Sequence, residues 1–145
     1  MTFKPFTTQS LWADRFGMIA GALCAVHCAT LTALFLFYPA LWLNRRYWES
    51  GLWSKMLWLE WSLLALAWIL VAVAMVAGWR RHGRTEPGFL GLAAVMAMSV
   101  LILTPLHFSG SWTGLAALLC GFGLVCAHAW NARLIRRVRG PFDPS

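Results

Sequence analysis

The stretch MLWLEWSLLALAWILVAVAMVAGW, residues 56–79, carries one ionisable side chain, Glu60, in 24 positions. As an α-helix it would rise about 36 Å, enough to cross a hydrocarbon layer of roughly 30 Å. Three further apolar runs stand around it, at about 17–39, 88–108 and 112–131. Only helices and closed barrels satisfy their backbone hydrogen bonds in lipid, and runs this long are not barrel strands. The expected fold is therefore an all-α integral membrane protein, a bundle of four transmembrane helices in a single membrane domain spanning residues 1–145.

Composition agrees. Hydrophobic residues are 60% of the 145, charged residues 12%, and the mean hydropathy is +0.65. A soluble chain this short has no interior large enough to hide so much apolar surface. The lipid bilayer is the first partner that the sequence implies.

Lysine and arginine placement gives an orientation. Lys4, Arg15, Arg80, Arg81, Arg84, Arg133, Arg136, Arg137 and Arg139 fall on one side of the expected membrane, and only Arg45, Arg46 and Lys55 on the other. The richer side is expected to be cytoplasmic, which puts both the N- and C-termini there, in a bacterial-type inner membrane. The net charge of +7 follows from this bias and from contact with anionic headgroups. No soluble basic face is left for nucleic acid. The first apolar run exceeds a signal peptide's h-region, so no cleavable leader is expected. Trp42, Trp48, Trp53, Trp79, Trp112 and Trp130 fall near expected helix ends and read as interfacial belts.

Against this background GALCAVHCATL, residues 21–31, stands out for two cysteines and a histidine within five positions. At about 100° per residue, Gly17, Gly21, Cys24, Cys28, Leu31 and Phe35 share one stripe, which Asp14 extends towards the cytoplasm. The Gly17/Gly21 pair marks it as a face that packs on another helix. His27 lies on its flank, about 80° away. In the fourth run Gly114, Ala117, Gly121, His128 and Ala132 share a second face of small residues, and His128 comes to a depth similar to that of Cys24 and Cys28. Cys120 and Cys126 fall on opposite sides of that face and read as ordinary buried or lipid-facing residues.

Thiolates and imidazole select soft or borderline ions, and two thiolates neutralise a divalent cation in a low dielectric. The expected metal ligands are Cys24, His27, Cys28 and His128. A disulfide fits less well, since residues at i and i+4 have Cβ atoms about 5–6 Å apart against the roughly 3.8 Å that the bond wants. Other readings stay open residue by residue. Cysteine often serves as a small buried hydrophobe, His128 can hydrogen-bond Asn131, and Glu60 either collects cations or pairs with Lys55 or the loop arginines. His82 and His107 read as interfacial.

ADRFGMIAGALCAVHC (13–28), WLEWSLLALAW (58–68), GWRRHGR (78–84) and AHAWNARLIRR (127–137) together resemble the MerC-type mercury-resistance membrane proteins and MerC-domain relatives. The resemblance implies a four-helix inner-membrane protein that takes up mercuric ion through cysteine pairs, with Cys24 and Cys28 as first-helix ligands and His128 as the fourth-helix histidine. The named transporters carry Cys-x-x-Cys in the first helix and a second pair in the cytoplasmic tail. This chain has Cys-x-x-x-Cys and no cysteine after Cys126, and its Cys/Cys/His/His set would also serve zinc. The expected function is binding or uptake of a thiophilic cation, Hg2+ or Zn2+, with the ion as substrate and no cofactor required. A structural subunit of a larger membrane complex and a haem or redox protein using His27 or His128 are the alternatives. Homo-oligomers or a membrane partner protein are compatible with all three. No nucleophile with a paired base and no phosphate loop is present, so an enzyme is not expected.

Overall fold

The computed structural model describes residues 7–37, 51–104 and 112–139. Four helices account for nearly all of them: α1 (Thr7–Phe37), α2 (Gly51–His82), α3 (Glu86–Leu103) and α4 (Trp112–Arg139), with no strand among the described residues. Each contains a stretch long and apolar enough to cross a membrane: Leu11–Leu34, Ser54–His82, Glu86–Leu103 and Trp112–Val138. The expected ends of the first and third helices, at residues 39 and 108, and Trp42, Trp48 and the Trp53 side chain lie outside what is described.

The helices end where the backbone is interrupted. TTQSLWADRF offers no glycine or proline, so α1 runs through it from Thr7, ten residues before the expected start. α2 is closed by Gly83, whose φ of 69° and Gly83 N–H to Trp79 C=O bond of 2.8 Å form a left-handed cap. α3 begins with Pro87 in its first turn and ends at Thr104, which is extended (φ −115°, ψ 161°) as the residue before Pro105 must be. α4 continues eight residues past its expected end at Asn131, to Arg139.

Small residues line the helix contacts, with larger side chains such as Met98, Leu124 and Ile135 between them, and many large apolar residues face outward. Ala20, Gly21, Cys24, Ala25 and Cys28 of α1, Ala67, Ala74 and Gly78 of α2 and Ala117, Gly121, Ala127 and Ala132 of α4 are buried. Ile19, Leu23, Val26, Ile69, Val73, Met96, Leu119 and Phe122 face outward. That distribution suits a bundle solvated by lipid, where close backbone approach holds helices together. The small-residue faces expected on α1 and α4 are both buried.

α1 packs most extensively on α4, and α2 and α4 touch across the centre. The α1–α4 crossing is at Gly21 and Gly121. A Cβ at Gly121 would overlap the Ala25 side chain and come within 2.9 Å of the Gly21 carbonyl. Gly121→Ala is therefore expected to cost about 1–3 kcal/mol through overpacking, whereas Gly51→Ala, which meets nothing within 4 Å, should not. Thermal unfolding of both variants in detergent checks the pair. α2 and α3 are joined by Trp68, whose indole N–H donates to Ser99 Oγ at 3.0 Å.

Candidate metal centre

Cys24 and Cys28 stand one turn apart on the buried stripe of α1, each 2% exposed and neither in a disulfide. At this i, i+4 spacing their Cβ atoms stand about 5–6 Å apart, on the same face of the helix. Around them lie apolar side chains, among them Leu64, Ala67, Leu124 and Met98. Glu60 of α2, buried at 3% exposure, is within electrostatic range of both sulfurs. It is thus an interior carboxyl group, on the face that it shares with Ala67, Ala74 and Gly78.

His27 leans from the flank of the stripe towards α2, with Nε2 3.7 Å from Glu60 Oε1, beyond hydrogen-bond reach. That nitrogen is buried and makes no hydrogen bond among the described residues. Cys120 is half-buried against the same cluster and within electrostatic range of Cys24 and Cys28, nearer to them than its position on the flank of α4 implied. No three histidine, cysteine, aspartate or glutamate side chains among the described residues converge as a ready metal-holding group.

The structure separates His128 from the cysteines. Its ring lies against Gly17, where an added Cβ would overlap it, two turns and about 10 Å along α1 from Cys24. The reason is Asp14. Because α1 starts at Thr7, Asp14 sits two turns inside the helix and is fully buried, not at the helix mouth. His128 Nδ1 is 3.1 Å from Asp14 Oδ1, and Asn131 Nδ2 donates to Asp14 Oδ1 and Oδ2 at 3.1 and 3.0 Å and to the Ala74 carbonyl at 3.1 Å. His128 and Asn131 do not bond each other in place of this; both turn to the carboxyl group of α1.

His82 closes the network. With Asn131 Nδ2 committed to donation, Asn131 Oδ1 accepts from His82 Nε2 at 2.9 Å, and His82 Nδ1 accepts the Arg84 backbone N–H at 3.1 Å. These partners define the neutral Nε2–H tautomer. His82 is half-buried, held by these bonds at the end of α2. Gly78 makes room for it: a Cβ there would run into the Asn131 amide. Asp14, Asn131 and His82 were not singled out as a cluster, and the signal available was the pairing of two polar residues on α4 with glycines on the helices opposite.

The geometry thus offers a buried pair of thiols one turn apart on α1, a His27–Glu60 contact between α1 and α2 that does not converge with them as a single group, and a separate polar clamp nearer the arginine-rich end. Two adjacent thiols match an ion satisfied by two soft ligands better than zinc, which takes four in its structural sites. Comparison with curated proteins and with solved structures gives no match. The family model for MerC mercury resistance protein matches residues 14–133, from the buried aspartate of α1 to the last turns of α4, and the chain belongs to that family.

Proposed function

We propose that this protein takes up mercuric ion, or a cation of similar thiophilicity, across a bacterial-type inner membrane, with both termini cytoplasmic and Cys24 and Cys28 as the ligands that receive it. The observation that carries this reading is the pair of free, adjacent, buried thiols on one turn of α1. The ion displaces the two thiol protons, and the resulting dithiolate complex carries no net charge, which suits an apolar interior. Glu60 draws the cation towards the pair and His27 stands beside it as a further donor. Onward movement is ligand exchange, an incoming thiolate taking the ion from one sulfur before the other lets go.

His128 has no place among the ligands in this reading, because it is held by Asp14 two turns away. His128→Ala is expected to leave mercuric affinity within about twofold, while Glu60→Gln weakens it by roughly tenfold, the scale of a group acting through the ligands. Isothermal titration of the two variants reads both. Uptake itself is tested with proteoliposomes and radiolabelled mercuric ion. Protein-containing vesicles should accumulate the ion faster than empty ones, and Cys24→Ser should return the rate to that of empty vesicles. Equal rates in all three would leave binding without transport.

A further inference from the structure

Away from the thiols, one face of α4 and the α2–α3 turn border an open cavity of about 450 Å³ lined by Arg84, Cys126, Trp130, Arg133, Leu134 and Arg137. Cys126, Trp130, Arg133 and Arg137 recur every three or four residues, so they line one face of the helix. None of the three arginines forms an ion pair among the described residues, and all three are exposed. A second groove of about 220 Å³ runs between α2 and α3, walled by Met75, Val76, Trp79, Phe89 and Leu92. Arg84 lines both.

We infer that these two spaces form one binding site for an anionic phospholipid, its phosphate among Arg84, Arg133 and Arg137 and an acyl chain in the groove. Charge complementarity argues for the headgroup: three guanidinium groups with no acid among the cavity's lining residues suit a phosphodiester, whose oxygens accept their paired N–H donors. The apolar groove that Arg84 also borders argues for the tail, since a free phosphate has no use for it. The location argues for the source. Both spaces adjoin stretches apolar enough to lie in a membrane, α4 up to Val138 and α3 from Glu86, at the end of the bundle where arginines concentrate. Basic pockets between membrane helices hold lipid headgroups in this way. Trp130 lines the same cavity, and its amphipathic indole suits the boundary between acyl chain and headgroup.

The test uses the full chain in nanodiscs of equimolar phosphatidylglycerol and phosphatidylcholine, extracted into mild detergent and weighed intact with its retained lipid. Phosphatidylglycerol should be retained at least tenfold over phosphatidylcholine. Arg84→Gln, in the exposed turn, and Arg133→Gln should each cut that preference about fivefold, whereas Arg136→Gln, exposed on α4 but outside the cavity, should not. Phe89→Ala, which opens the groove without touching charge, should reduce retention of both lipids, and an unchanged thermal midpoint in each variant excludes misfolding as the cause. Equal retention of the two lipids by the unaltered chain would overturn the inference. So would displacement of phosphatidylglycerol by millimolar inorganic phosphate, which would mark a site for soluble anions.

Discussion

Exchanging Cys24 and Cys28 together for serine is expected to weaken mercuric binding by about ten-thousandfold. The magnitude follows from what a soft ligand is worth. A four-ligand structural zinc site contributes about 10–16 kcal/mol, so each ligand carries on the order of 3 kcal/mol, and losing two removes about 6 kcal/mol. Serine does not rescue it, because its hydroxyl stays protonated at neutral pH and is a hard donor. Each single substitution should cost roughly a hundredfold. Titration in the presence of a competing thiol of known affinity reads the difference, and a loss below tenfold in the double variant would place the ion elsewhere.

The second large effect is on stability. Asp14→Ala removes the carboxyl group on which His128 and Asn131 converge, in a position with no exposure at all. Breaking a buried pair by deleting one partner costs about 3–5 kcal/mol, since the groups left behind have neither water nor a substitute. Asn131→Ala should cost about 1–3 kcal/mol by the same reasoning. The two losses should not add, because both variants dismantle one network. Thermal unfolding in detergent of the single and double variants gives the coupling directly. A double variant whose loss equals the sum of the singles would mean that the clamp is not a unit.

Most of the architecture is legible in the sequence. An apolar run such as 56–79 can satisfy its backbone in lipid only as a helix, and the small-residue stripes of α1 and α4 identified the faces that meet. Helix ends were less legible, because apolarity marks the part that crosses lipid while the helix itself stops only at a breaker such as Gly83 or the residue before Pro105. A helix that begins at Gly17 leaves Asp14 in the aqueous phase; only one that begins at Thr7 carries it into the interior, where it takes His128 and Asn131 as partners.

The cysteine pair was legible from spacing alone, since residues at i and i+4 share a face whatever the helix boundaries. Glu60 was legible as an anomaly, a single acid in an apolar run, but not as a neighbour of His27 and the thiols, which needs the relative rotation of α1 and α2. The same holds for Cys120. Its angular position on α4 was readable, whereas its approach to the pair depends on how closely Gly21 and Gly121 let the two helices come.

The most direct test of the two-thiol site is mercury L-edge X-ray absorption on the detergent-purified protein loaded with one equivalent of mercuric ion. Two sulfur neighbours in the unaltered chain, retained in His128→Ala and lost in Cys24→Ser/Cys28→Ser, are the result that this arrangement requires. A first shell of nitrogen and oxygen, or a sulfur count that the double substitution leaves unchanged, would contradict it.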